Sequence, residues 1–284
     1  MNARGCWASS RSDWRGFVAP SYGAPMPGRR QLVFMVAIAG LAAPLVWPTF
    51  GIAGSPQAKA ARPLVVELYT SQGCSSCPPA DAFLAKLSSH KDILAMSLPV
   101  TYWDMLGWRD TLANEANTKR QKAYAKVMGR GGIYTPQIIV DGESDIVGSK
   151  EQAVEAEVTE RMADMPVVPV ELSAEHGVVH VAIGAGAEHA VHDATVWMFR
   201  ILPQVTVAIH SGENGGRTIT YHNVVRQIRA VGQWKGQALS LDLPVADQSV
   251  EHDDGVAIVV QQGSGYGRVL GAAMIDRVGS SSRR

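Results

Sequence analysis

The sequence predicts an α/β domain followed by an all-β, sandwich-like domain. An apolar run from Leu64 to Tyr69 precedes two cysteines and a segment whose apolar residues recur at helical spacing, which is typical of a strand, a turn and a helix. Similar strand-like and helix-like segments alternate up to about Asp164. From Pro166 onward the chain has short alternating β segments separated by turn residues. We therefore expect an α/β domain at residues 63–165, a β domain at 166–276 and a short disordered tail at 277–284.

The composition is that of an ordinary globular protein. The chain has 284 residues, of which 46% are hydrophobic and 18% are charged, and this length is sufficient for two domains. The formal net charge is +0 because Lys and Arg balance Asp and Glu. The globular part has no long basic run, so nothing indicates a nucleic-acid partner.

Residues 1–62 have the features of a leader with a secretory signal. Arg29 and Arg30 form a charged region, Leu32 to Val46 is almost wholly apolar, and Ala58-Lys59-Ala60 fits a small-x-small cleavage site. The alternative is an uncleaved membrane anchor, but the apolar run is shorter than the ~20 residues that a spanning helix needs. We expect a periplasmic or secreted protein that meets the membrane only through this segment. Removal of the leader would also remove Cys6.

The first strand and helix of the α/β domain carry the remaining two cysteines. Cys74 and Cys77 lie between the strand Leu64 to Tyr69 and a predicted helix from Pro78 to Ser89. The unpaired N–H groups and the dipole at a helix N-terminus favour an anion, and this lowers the pKa of a thiol placed there. Cys74 is therefore the expected nucleophile, and Cys77, one turn inside, the resolving thiol.

In the rest of the α/β domain, predicted strands and helices follow one another, and the complete domain has the order βαβαββα. A polar insert separates the second strand from the second helix, and Asp141-Gly142 predicts a hairpin turn. The predicted elements are a strand Ile93 to Val100, with Thr101 to Trp103 also compatible with a strand, a helix Thr118 to Met128, a strand ending at Val140, a strand Ser144 to Val147 and a last helix ending near Asp164.

The β domain has eight predicted strands, which favour a β-sandwich. They are Val167 to Leu172, Val178 to Ile183, Thr195 to Leu202, Gln204 to Ile209, Thr218 to Val231, Leu239 to Leu243, Val256 to Gln262 and Arg268 to Ile275.

The element order, the Cys-x-x-Cys at the first strand-helix junction and Thr135-Pro136 before the hairpin together resemble the thioredoxin superfamily. The resemblance implies that Pro136 is a cis-proline facing the dithiol and that its neighbour Thr135 presents backbone to the substrate. A second resemblance is carried by five blocks: Val66 to Asp81, Tyr102 to Asp110, Arg120 to Tyr124, Tyr134 to Gln137 and Gly216 to Arg226. On these blocks the chain resembles a bacterial exported family catalogued as a domain of unknown function, from about residue 63 to 275. That family usually has Asp where this chain has Thr101.

Three other residues are candidates for the site. Glu67 is the single charge in an apolar strand, and a buried carboxylate beneath the dithiol could accept the proton of Cys77. The alternative is a carboxylate at an exposed rim or paired with an arginine, because a one-residue change of register moves the side chain to the other face. Tyr102 and Trp103 could form a wall of the substrate groove, or could simply pack within a surface insert.

These residues predict thiol-disulfide exchange with a protein thiol or disulfide client, or with an electron donor, without a cofactor. The alternative is a non-enzymatic periplasmic binding or copper-handling module in which the cysteines are ligands or a structural disulfide. Two thiolates can hold Cu(I), whereas a zinc site needs four ligands and no spacing marks the other two. We therefore assign no metal ligands.

Overall fold

The computed structural model describes residues 62–187, 193–244 and 254–276. The predicted leader, Cys6 and the predicted tail at 277–284 lie outside the described residues. No helix among the described residues is long and apolar enough to cross a membrane.

The first part of the chain forms the predicted sequence of strands and helices. The short segment after the second strand is a turn and a single 3-10 turn rather than a further strand. The elements are β1 (Leu64–Thr70), α1 (Pro78–Leu87), β2 (Ile93–Pro99), the 3-10 turn Asp104–Leu106, α2 (Glu115–Val127), β3 (Gln137–Val140), β4 (Ser144–Val147) and α3 (Glu151–Ala163).

The second part of the chain is built from strands. Two predicted strands on either side of Pro203 are one long strand, because pairing with β10 ends at Ile201 and the missing N–H of Pro203 breaks no bond to that neighbour. The strands are β5 (Val170–Glu175), β6 (Val178–Ile183), β7 (Ala194–Ala208), β8 (Thr218–Trp234), β9 (Leu239–Pro244), β10 (Gly255–Gln262) and β11 (Val269–Ile275).

Strands from both parts join in one eight-stranded sheet, in the order β11-β10-β7-β8-β2-β1-β3-β4. β1 pairs with β2 in parallel and with β3 antiparallel. The two halves meet where Ser97 of β2 pairs with Val224 of β8. A second sheet, β5-β6-β9, packs on the β-rich half. The β segment therefore has the two facing layers of a sandwich, but its larger layer continues into the α/β part, so residue 166 does not separate two independent sheets.

Three of the four apolar clusters in the described residues form layers that stabilise this arrangement, and the fourth surrounds Tyr221. One lies between the sheet and helices α1 and α3, and includes Leu68, Ala80 and Phe83. Another lies on the opposite face of β1, where Tyr69 packs with residues of α2, β7 and β10. The third fills the space between the two sheets. Because both faces of β1 are covered, every residue of this strand is buried, which explains its nearly continuous apolar sequence.

Candidate active site

The cysteine pair lies in the turn between β1 and α1. The turn is closed by bonds from the Cys74 amide to the Ser71 carbonyl (3.1 Å) and from the Cys77 amide to the Cys74 carbonyl (3.2 Å). Cys77 is the N-cap residue of α1, and Pro78 occupies the first helical position, where its missing N–H costs nothing. Cys74 and Cys77 form a disulfide, with Cα atoms 5.4 Å apart. The hydroxyl of Ser76 lies 3.3 Å from the sulfur of Cys74.

The Thr135-Pro136 peptide bond is cis, and Pro136 lies beside the first turn of α1. A Cβ added to Gly148 would be 3.2 Å from the Cβ atoms of both Ala80 and Pro136, so these two residues flank the same point. The structure thus brings the predicted proline next to the helix that carries Cys77.

Trp103 connects the two sides of this site. Its indole N–H donates to the Thr135 hydroxyl at 2.8 Å, and its Cβ would be 3.1 Å from a Cβ placed on Gly73, next to Cys74. Tyr102 packs beside it, with ring centroids 6.4 Å apart, and burial raises the pKa of the Tyr102 hydroxyl. Both aromatic residues are half-buried next to the predicted site residues.

A loop from the β-rich part covers the cysteines. We call residues 209–217, between β7 and β8, the site loop. The side-chain amide of Asn214 donates to the carbonyls of Gln72 and Cys74, both at 2.9 Å. The Glu213 carboxylate accepts the Ser75 amide at 3.1 Å. Both cysteines of the disulfide are 0% exposed, and the site loop bonds the backbone on either side of Cys74.

A buried carboxylate lies one helical turn beyond Cys77. The Asp81 amide donates to the Cys77 carbonyl at 3.1 Å, and residues at this i,i+4 spacing share one helix face. Asp81 is 3% exposed, and neither of its side-chain oxygens has a hydrogen-bond partner among the described residues. Burial raises the pKa of Asp81 to about 7; the nearby Thr70 hydroxyl opposes the rise and the charge of Asp110 adds to it.

Asp81 belongs to a buried polar group between α1 and β8. Asp110 accepts the backbone amides of Gln72 (2.8 Å) and Leu112 (2.8 Å), and burial raises its pKa against these bonds. Tyr221 of β8 is 2% exposed, and burial together with Asp81 and Asp110 raises the pKa of its hydroxyl. The region therefore holds two acids, and no salt bridge to either is found within the described ranges.

Glu67, the predicted proton acceptor, lies on the other face of the sheet. Alternate residues of a strand point to opposite faces; Val66 and Leu68 pack toward α1, while Val65, Glu67 and Tyr69 point toward α2. The Arg120 guanidinium binds Glu67 with two bonds, at 2.6 and 2.8 Å. The carboxylate also accepts the hydroxyls of Tyr124 (2.7 Å) and Tyr69 (3.1 Å). The arginine-paired alternative is thus the one that the structure has.

The family comparison matches one continuous region that includes both the α/β part and most of the β-rich part of the chain. A family model described as a protein of unknown function (DUF1223) matches residues 65–261. The chain belongs to this family. The matched region runs from β1 into β10, so this DUF1223 match includes both the cysteine turn and the site loop.

Two solved structures resemble the chain. One is a crystal structure of an Agrobacterium tumefaciens protein from a structural genomics programme, with 31% identity and a TM-score of 0.68, covering 80% of this chain and 99% of that one. The other is HBP35 of Porphyromonas gingivalis, with 12% identity and a TM-score of 0.57, covering 79% of this chain and 78% of that one, and it supports the fold alone. No curated protein matches the chain significantly.

Sequence reasoning missed Asp81, Asn214 and Glu213. Asp81 had a usable signal, because an acid four residues after Cys77 shares the helix face of that cysteine. Asn214 had none, since it lies 140 residues from Cys74. In the part of this DUF1223 chain that the structure describes, no group of three or more His, Cys, Asp or Glu side chains is arranged to hold a metal ion.

Proposed function

We propose that the protein is an exported thiol-disulfide oxidoreductase with a thioredoxin-like redox site. The observation that carries this proposal is the Cys74-Cys77 disulfide at the N-terminus of α1, beside the cis-proline Pro136. The order β2-β1-β3-β4 around these residues, with β3 antiparallel to β1, supports the thioredoxin-like assignment. The signal-like segment at residues 29–60 supports a periplasmic or secreted location, where such a pair cycles with a dedicated redox partner.

In the reducing direction, the Cys74 thiolate attacks one sulfur of a client disulfide. The client S–S bond breaks, a mixed disulfide forms, and the second client sulfur leaves as a thiolate and takes a proton. Cys77 then loses its proton and attacks the sulfur of Cys74, which releases the first client sulfur as a thiolate. Two electrons pass to the client, and a dithiol electron donor restores the reduced pair.

Asp81 is the group in this proposal that accepts the proton of Cys77. It is buried on the helix face of Cys77, it has no competing cation among the described residues, and its pKa of about 7 suits reversible proton transfer near neutral pH. Glu67 has no such freedom, because Arg120 and two tyrosines occupy its oxygens. Trp103, Tyr102 and Thr135 are proposed to line the groove for the client.

The test is a trapping experiment with the full chain. In Cys77→Ser the mixed disulfide cannot be resolved, so we expect a stable adduct with a defined client such as insulin. The matched Cys74→Ser variant should form none. The wild-type protein should reduce insulin disulfides in the presence of dithiothreitol. Absence of both adduct and reduction would overturn the proposal, and a reduction potential measured for the pair would give the direction of electron flow.

The role of Asp81 is tested by the kinetics of the resolving step. In Asp81→Asn we expect Cys77 to attack the mixed disulfide more slowly, on the order of 100-fold. The wild-type rate should change through about pH 7, and this inflection should be absent in the variant. An unchanged inflection would assign the proton to another group.

A second candidate is a structural disulfide in a binding module. Its supporting observation is that Cys74 and Cys77 are both 0% exposed. A pair that stays oxidised with a strongly reducing potential and forms no client adduct would favour this function.

A further inference from the structure

The site loop closes on the backbone of the cysteine turn itself. Asn214 is 1% exposed, and its amide bonds the carbonyls on the two sides of Gly73, those of Gln72 and Cys74, at 2.9 Å each. Thiol exchange requires the attacking or attacked sulfur to meet its partner directly. With both cysteines fully buried, a protein client cannot reach Cys74 in this conformation.

The contacts that hold the loop over residues 72–75 are polar and few. Besides the two bonds of Asn214, a hydrogen bond from the Ser75 amide to the Glu213 carboxylate joins the site loop to this turn. Segments held by a few hydrogen bonds open locally at much lower free energy than the whole protein unfolds. These three bonds over the cysteine turn can therefore break without disturbing the sheet, while Ser211 and His210 still contact residues 107 and 108.

Two glycines allow the loop its closed shape. Gly212 and Gly216 have φ values of +77° and +82°, which side-chain-bearing residues adopt at a cost. A Cβ on Gly212 would also be 3.1 Å from the Cβ of Trp108. The Ser211 hydroxyl donates to the Gly107 carbonyl at 2.6 Å, so one end of the loop is attached to the segment after Trp103.

We propose that Asn214 is a positioning residue that fixes the Cys74 turn and holds the site loop closed, so that a client must displace this loop to reach the dithiol. The inference rests on the proposed function, since it describes access to the same pair. The client chemistry follows from the contacts: an extended peptide segment with its own N–H groups can donate to the Gln72 and Cys74 carbonyls in place of the Asn214 amide.

The test measures how fast dithiothreitol reduces the Cys74-Cys77 disulfide, which requires no client. Dithiothreitol becomes a cyclic disulfide as the protein pair becomes a dithiol. In Asn214→Ala we expect the rate constant to rise by about tenfold or more, the change expected from the loss of two hydrogen bonds that favour the closed state.

The matched control is Asn117→Ala. Asn117 is equally buried, and its amide donates to the carbonyls of Pro99 (3.0 Å) and Val225 (3.4 Å), away from the cysteine turn. It should leave the reduction rate within about twofold of wild type, although it lowers stability by a comparable amount. An equal increase in both variants would show a general loosening of the fold and overturn the proposal. So would an unchanged rate in Asn214→Ala.

Gly212→Ala provides an independent route if Asn214→Ala does not fold. This change removes no bond to the cysteine turn but strains the closed loop, so it should also accelerate reduction. A rate equal to wild type in a folded Gly212→Ala protein would count against the inference. Failure of insulin trapping together with faster reduction in these variants would remove the oxidoreductase function while leaving the closed loop established.

Discussion

Two buried carboxylates on opposite faces of one sheet differ in their surroundings. Glu67 is 0% exposed and binds Arg120, Tyr124 and Tyr69, so a guanidinium group and two hydroxyl groups compensate its carboxylate. Asp81 is 3% exposed, has no hydrogen-bond partner for its carboxylate among the described residues, and has a pKa raised to about 7 by burial. Similar burial thus produces a fixed ion pair in one place and a titratable acid in the other.

The two environments indicate different roles, a structural one for Glu67 and proton exchange for Asp81. Arg120 also lies over the rings of Tyr124, Trp197, Phe199 and Tyr266, at 5.0 to 5.6 Å, so the Glu67 cluster joins β1 and α2 to strands of the β-rich part. An acid committed to such contacts stabilises one assembly. An acid without a cation, such as Asp81 on the helix face of Cys77, remains free to exchange a proton.

The largest expected effect is that of Glu67→Gln. Removing one partner of a buried ion pair leaves Arg120 uncompensated, so the free energy of unfolding should fall by about 3–5 kcal/mol. Denaturant unfolding followed by circular dichroism measures this. The double variant Glu67→Met with Arg120→Met should be less destabilised than Glu67→Gln, because no buried charge remains. A single variant as stable as wild type would contradict the compensated-pair description.

At alkaline pH, Asp81→Asn should raise the free energy of unfolding, whereas Glu67→Gln should lower it. The folded-state pKa of about 7 exceeds the ordinary value of 3.8, so the folded protein binds more protons than the unfolded chain between these values and loses stability as the pH rises. The loss amounts to roughly 4 kcal/mol by about pH 8. Asp110 and Tyr221 face the same group: burial also raises the pKa of Asp110, whereas the raised pKa of Tyr221 keeps its hydroxyl protonated across this range.

In Asp81→Asn this contribution is removed, so the variant should gain stability relative to wild type as the pH rises from about 4 to about 8. Unfolding curves for both proteins across this range check the prediction. A stability difference that does not change with pH would mean that Asp81 titrates near its ordinary pKa.

Gln261→Leu probes the polar neighbours of the Glu67 cluster. Gln261 accepts a bond from Arg120 (2.8 Å) and donates to the hydroxyl of Tyr124 (2.7 Å) and to the Gly267 carbonyl (2.7 Å). Its replacement removes these three hydrogen bonds, and we expect a loss of about 1–3 kcal/mol in the free energy of unfolding. The loss of stability should be smaller than in Glu67→Gln. A larger loss would show that Gln261 contributes more to the free energy of unfolding than Glu67 does.

The smallest effect is expected for Thr70→Val. The Thr70 hydroxyl holds the Asp81 pKa below the value that burial alone would give, so its removal should raise that pKa further. The change in shape is small, and NMR titration of the Asp81 carboxyl carbon measures the shift. An unchanged or lowered pKa would show that the Thr70 hydroxyl does not stabilise the Asp81 carboxylate.

The local features of this protein were accessible from its sequence. Apolar periodicity gave the strands and helices of residues 64–163, Asp141-Gly142 marked the hairpin, and the spacing of Cys74 and Cys77 placed a dithiol at the start of a helix. The position of Pro136 before the hairpin indicated its cis bond through the family resemblance. Each of these depends on residues close together in the chain, whose backbone preferences and side-chain spacing act locally.

Only the tertiary structure decided which distant groups meet. The continuous sheet depends on the pairing of Ser97 with Val224, and the cover of the dithiol depends on Asn214 reaching Cys74. The face to which Glu67 points follows from the register of β1, which a strand pattern buried on both faces leaves undetermined. Such contacts are selected by the packing of whole layers. The sequence by itself therefore determined the dithiol, its helix and the spacing of Asp81 from Cys77, whereas the fold determined the burial of Asp81 and the contact of Asn214 with the cysteine turn.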